Sequence, residues 1–201
     1  MSLRQLIADP NATVATIGTY LDGLSAPRRW AQLRRLDRGQ QRTLYQRAGR
    51  SALALRDLVP NATALVEEIH DGVNTLPVPG PLRRFQKRFC WPLEGDGTQL
   101  YGYNEGPLRR LIGPGYFLAS ATAAHSPWAE QGSVVVDYFA VPHGPVAPGW
   151  PTIVPNSKGL QRGVYDRTRD FLWRVSSHVS IGAATKDDKP LDHYFILCRR
   201  G

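Results

Sequence analysis

Leu76-Pro77-Val78-Pro79-Gly80-Pro81 places three prolines and a glycine in six residues, and no helix can run through them. Proline fixes φ and removes a backbone donor, so the segment is extended and divides the chain. The texture changes across it. Residues 1–75 predict an Arg-rich helical segment, 76–83 a Pro-rich linker and 84–201 an antiparallel β-domain.

Within the first part, Ser25-Ala26-Pro27 combines an N-cap residue with proline in the first turn, and Trp30, Leu33 and Leu36 recur every three residues. Asp37 suits the cap of a second helix carrying Leu44, Tyr45 and Ala48. Pro60-Asn61 predicts a third, with Leu65, Ile69 and Glu67-Glu68 in it. Asn11-Ala12-Thr13 and Asn61-Ala62-Thr63 match glycosylation acceptors, but each follows a proline and reads as a helix start.

Past the prolines, Phe85, Phe89 and Trp91 alternate with Arg84, Gln86 and Arg88, the period of a half-buried strand. Gly95-Asp96-Gly97 turns the chain into a partner strand over 99–103. Further strands are predicted over 116–123, 133–141, 175–185 and 193–199, with Lys186-Asp187-Asp188-Lys189-Pro190 as the last turn. Residues 160–173 carry helical spacing in Val164, Thr168, Phe171 and Leu172. Residues 142–155, rich in Pro and Gly around Trp150, predict an ordered loop pinned by that ring. Strands joined by turns predict an α+β protein: N-terminal helices, then an antiparallel β-barrel or strongly curved sheet.

The sequence excludes more chemistry than it supplies. His70, His125, His143, His178 and His193 are scattered without metal-ligand spacing, although His178 and His193 are placed to face each other across the last hairpin. There is no Gly-x-Ser-x-Gly elbow and no phosphate or dinucleotide loop. Glu67-Glu68 and Asp187-Asp188 are adjacent pairs, which diverge on a helix and form no acid/base dyad. No metal, cofactor or catalytic residue is assigned. Cys90 and Cys198 lie in apolar runs and read as buried thiols. The opening residues lack a secretory pattern and no long apolar run suggests a transmembrane segment, so the expected compartment is cytoplasmic.

Charge is concentrated. Residues 28–56 hold nine arginines against Asp37 alone, which already accounts for the net charge of +8. Such a segment suits an acidic protein, nucleic acid or an anionic membrane surface, with Arg28, Arg29, Trp30, Arg34, Arg35 and Arg38 as contact residues. The plainer reading is a solvated helix face in an Arg-rich protein.

Over residues 84–200 the pattern resembles bacterial lipocalin-like proteins. The residues that carry it are Val164-Tyr165-Asp166, Asp170-Phe171, Val179-Ser180-Ile181-Gly182 and Tyr194-Phe195-Ile196-Leu197-Cys198-Arg199. Asp137-Tyr138 and Pro148-Gly149-Trp150-Pro151 are similar to plastid lipid-associated fibrillins. The Gly-x-Trp near the start of lipocalin-like barrels is missing, since Phe89-Cys90-Trp91 has no glycine there. The resemblance implies a barrel that holds an apolar molecule.

Three functions follow as expectations. The first is non-enzymatic binding of a small hydrophobic or amphipathic molecule in the β-domain. Tyr101, Tyr103, Tyr116 and Trp150 would be its walls, and Asp137, Tyr138, Arg174 and His178 its polar contacts. The short side chains of 117–124 would leave it room, or instead let a helix pack closely. The second is docking of the Arg-rich helices on an acidic partner. The third is isomerase or lyase chemistry using His178 or His193 with Asp137. Oligomeric state is left open.

Overall fold

The computed structural model describes residues 2–123 and 126–200; His125 and Ala124 lie outside them. Helices α1 (Leu3–Ala8), α2 (Val14–Asp22), α3 (Ala26–Leu33), α4 (Arg38–Ala48) and α5 (Leu55–Leu58) come first. Then follow β1 (Glu68–Asn74), β2 (Arg84–Cys90), β3 (Gln99–Glu105), α6 (Arg109–Ile112), β4 (Phe117–Ala121) and β5 (Val134–Asp137). The chain ends with α7 (Gln161–Val164), β6 (Thr168–Arg174), β7 (Val179–Lys186) and β8 (Lys189–Arg199). All eight strands pair antiparallel with their sequence neighbours, and β1 pairs with β8 to close a barrel. The protein is therefore α+β, as its patterns predict.

Of the caps read from sequence, Asp37 forms as expected. Asp37 accepts from the Gln40 amide at 2.9 Å and caps α4, while Ser25 precedes α3 without a side-chain cap bond. Helices α1 to α4 bury Leu6, Ile17, Leu21, Leu33 and Leu44 against the outer face of the barrel, on Val73, Trp173, Ile181 and Ile196. Segment 53–59 behaves differently. Leu53, Leu55, Leu58 and Val59 join the interior side chains Phe89, Leu100, Phe117, Val134 and Leu172, so this segment plugs one end of the barrel. Ala119 lies in the same cluster, and its small side chain accommodates the plug.

Two predicted helices are strands. Over 61–69, Leu65 turns left-handed (φ 58°) and its amide bonds to the Trp91 carbonyl, which a continuing helix forbids. The residues that follow alternate, with His70, Gly72 and Asn74 on the inner face, so 68–74 form a barrel strand where a helix is predicted, and the barrel begins before the Pro-rich segment. Over 160–173 only the single turn α7 is helical. Arg167 (φ 60°) reverses the chain, and Thr168, Asp170 and Leu172 then face inward as β6. The β7–β8 turn is a two-residue one in which Asp187 and Asp188 both take positive φ, the conformation that matches strand twist.

Three cross-strand partners narrow the lumen. Gly72 pairs with Phe85, Gly102 with Phe117 and Gly182 with Phe195, and each ring lies over its glycine. A Cβ on Gly102 would stand 2.3 Å from the Phe117 ring and 2.6 Å from the Arg88 carbonyl. Glycine is required by space at these positions, and the covering ring restores the packing it lacks.

Candidate functional site

The interior parity of β2 reads Phe85, Lys87, Phe89, so a lysine sits between two phenylalanines on the inner face. Lys87 is 1 % exposed. Its Nζ donates to Asp170 Oδ2 at 2.8 Å, to Asn104 Oδ1 at 3.2 Å and to the Tyr138 hydroxyl. Asn104 Nδ2 donates to the Tyr138 hydroxyl at 2.9 Å and to the Gly115 carbonyl at 3.2 Å. The Tyr138 hydroxyl in turn donates to Asp170 Oδ2 at 3.2 Å. Four strands or strand ends thus converge on one buried polar cluster. The rings of Phe117, Tyr138 and Phe195 stand about 5 Å from the ammonium, adding cation–π attraction.

Burial pushes the Lys87 ammonium down from its ordinary value, and the Asp170 carboxylate draws it back up. Burial, with Asp170 adding to it, holds the Tyr138 hydroxyl well above its usual range, so it stays a donor at neutral pH. Tyr165 stacks on Tyr138 with centroids 5.3 Å apart and is pushed up to about 12, again by burial.

The cluster is the floor of a cavity of about 230 Å³ that opens at the barrel end opposite the plug. Phe85, Ile112, Tyr165, Ala184 and Phe195 form most of its wall. Leu76, Leu108, Val164 and Leu191 form an apolar rim, each between 37 % and 44 % exposed. Arg84 and Arg109 also reach the mouth, where Arg109 is paired with Glu105 at 2.7 Å. An eight-stranded barrel is wide enough to be filled by side chains or to hold one small molecule. Here the plugged half is filled and the other half is open.

Of the ligand contacts expected from sequence, the structure puts Tyr138 alone on the cavity. Tyr101 and Tyr103 point outward from β3, and with Tyr116 and Trp150 they pack beneath loop 142–155 on the outer wall. Trp150 pins that loop as predicted, its Nε1 donating to Glu67 Oε1 at 2.6 Å. Asp137 also points outward, paired with Arg169 at 3.1 Å, because the inner parity of β5 is Val134, Val136 and then Tyr138. The buried carboxylate is Asp170 instead. Arg174 sits at the plugged end beside Asp57, at 3.6 Å. His178 lies in the β6–β7 turn at that same end, its carbonyl accepting from the Arg199 amide. His193 faces Ala184 and lines the cavity, so the two histidines stand at opposite ends of the last hairpin and share no site.

The Arg-rich segment is partly spent on the fold. Arg29 is buried, donating to the Leu21 and Leu24 carbonyls at 3.0 Å each. Arg38 and Arg42 hold Asp192, and Arg47 donates to the carbonyls of Leu6 and Ala12. Trp30 packs against the helical core. Arg28, Arg34 and Arg35 are exposed.

Lys87, Asp170 and Asn104 escape a sequence reading for different reasons. Lys87 carries a visible signal, a charge on the apolar parity of β2. Asp170 is hidden by the helical spacing around it, and Asn104 falls just past the strand predicted over 99–103. Both cysteines are buried free thiols. Among the described residues no three His, Cys, Asp or Glu side chains gather as a metal site, and no helix is long and apolar enough to cross a membrane. The chain matches no protein-family model, no curated protein and no solved structure.

Proposed function

We propose that this protein binds a small amphipathic molecule in the open half of its barrel. The observation that carries the reading is a cup with apolar walls, an apolar rim and a single polar cluster at its floor. Pockets for small molecules combine these parts: apolar area for affinity and a few fixed polar groups for orientation. The exposed leucines and valine of the rim support the same reading, since apolar side chains grouped at an opening mark a contact site. Docking of an acidic partner on the helices draws on fewer groups than the sequence suggests, because four of the nine arginines are engaged internally.

The test is native mass spectrometry of the purified chain, compared with denaturing conditions. The expected result is uptake of one equivalent of an apolar probe such as 2-methoxynaphthalene, or a copurified mass, lost on denaturation. Ala184→Trp places an indole in the cavity and should abolish that uptake. A wild-type protein that carries nothing and takes up no probe overturns the reading. So does uptake that the Trp substitution leaves intact.

A further inference from the structure

The hydrogen-bond inventory of the floor narrows the ligand further, and this step rests on the binding reading above. An ammonium has three N–H donors and no acceptor. Lys87 has committed all three, to Asp170, Asn104 and Tyr138. Both Nδ2 protons of Asn104 are committed, and its Oδ1 accepts from Lys87. The Tyr138 hydroxyl donates to Asp170 and accepts twice. Asp170 is different. Its Oδ2 takes two bonds, while its Oδ1 receives none from the described residues. Asp170 lines the cavity with a side chain 8 % exposed. Of these four side chains, Asp170 alone presents an oxygen with no bond from the described residues, and that oxygen is an acceptor; the Tyr165 hydroxyl stands on the wall beside them.

We infer that the cavity selects a neutral apolar molecule bearing a hydrogen-bond donor, an alcohol or phenol, whose O–H bonds to Asp170 Oδ1. A carboxylate head would meet the free lone pairs of Asp170 with no uncommitted donor from Lys87, Asn104 or Tyr138 to offset its lost hydration. An ammonium head would be placed beside the Lys87 charge. An uncharged hydroxyl satisfies Oδ1 without disturbing the network. His193 also lines the wall. The rim arginine Arg84 offers the competing arrangement, an acid held head-outward at the mouth.

Three probes of one shape separate these cases: 2-naphthol, its methyl ether 2-methoxynaphthalene, and 2-naphthoate, titrated against the full chain at neutral pH. Naphthol is expected to bind about tenfold more tightly than the ether, the fold-change of one charge-assisted hydrogen bond after desolvation, and naphthoate most weakly. In the Lys87→Met, Asp170→Leu double variant the naphthol advantage should disappear while ether binding remains. If that variant fails to fold, the naphthol-to-ether ratio in the wild type decides alone. Equal binding of naphthol and ether, or naphthoate binding as tightly as naphthol, overturns the inference and leaves the cavity reading standing. Binding of none of the three removes the cavity reading, and the inference with it.

Discussion

Lys87 and Asp170 join opposite walls of the barrel, Nζ to Oδ2 at 2.8 Å. In the closed order of eight strands, β2 and β6 are separated by three strands on either side, so the ion pair spans the lumen. Both side chains are nearly sealed from solvent, 2 % and 8 % exposed. Taking two charges out of water is costly, and their attraction with the Asn104 and Tyr138 bonds offsets that cost. The pair divides the lumen into a filled half and an open one.

Breaking the pair from one side should be much worse than removing it. Lys87→Met leaves a buried carboxylate whose remaining strong partner is Tyr138, and a loss of about 3–5 kcal/mol is expected for an uncompensated buried charge. Lys87→Met with Asp170→Leu should recover most of that loss, because no unpaired charge remains. Urea unfolding of the single and double variants measures both. Equal destabilisation by the two would mean that the charges are not coupled as the geometry indicates.

His70 predicts an acid-dependent loss of stability. It is 2 % exposed, its Nε2 meets the Leu58 carbonyl at 2.8 Å, and Nδ1 has no partner among the described residues. Burial pushes its pKa down to about 4. The unfolded chain, with an ordinary histidine near 6.5, takes up a proton first as the pH falls. Stability from this group is therefore complete above about pH 6.5 and declines towards pH 4, by roughly 3 kcal/mol in all. Urea midpoints from pH 7.5 to 4 should fall less steeply in His70→Gln, which can keep the bond to Leu58. A parallel fall in both proteins would assign the acid sensitivity elsewhere.

The barrel could be anticipated from alternation and turn chemistry, because both are local properties. Asp37, the Asp187-Asp188 turn and the 84–91 strand needed only their neighbours in sequence. The site could not be read in the same way. Its residues come from positions 87, 104, 138 and 170, and only closure of the barrel brings β2 and β6 face to face. Where spacing misplaces a strand's parity, the site moves with it. The helical spacing of 160–173 hides Asp170 from the inner face, and Asp137 stands among the expected polar contacts in its place. Alternation puts Tyr101 and Tyr103 on one face of one strand, but it does not say which face is the lumen. Leu65 and Ile69 fit a helix by spacing, and the left-handed backbone at Leu65 that prevents it depends on its partner Trp91.

The glycine–phenylalanine pairs make a steric prediction. Gly102→Ala forces a methyl group against the Phe117 ring and the Arg88 carbonyl, and the second of these is backbone that cannot rotate away. A cost of about 1–3 kcal/mol is expected, as for other overpacked interiors. Thermal unfolding gives the value. A neutral substitution would show that β2 and β3 part more easily than their pairing implies.

The outer aromatic cluster and the cavity should be separable. Trp150 meets Tyr103 edge-on with centroids 4.9 Å apart, and its indole N–H is bonded to Glu67, which Arg88 also holds at 3.1 Å. Trp150→Phe keeps a ring in place but removes that donor, a bond to a charged group worth roughly 1.5–3 kcal/mol. The loss falls on loop 142–155, whose anchor is this side chain, and limited proteolysis within the loop should accelerate. Probe uptake in the barrel should be unchanged, because Tyr103 and Trp150 lie on the far side of the β3 wall from Lys87. Tyr138→Phe should do the reverse: it removes the hydroxyl that bonds Lys87, Asn104 and Asp170, so the probe preference should change while the loop stays resistant. If Trp150→Phe altered uptake as strongly as Tyr138→Phe, the β3 wall would be transmitting loop position to the floor, and the two sites would have to be treated as one.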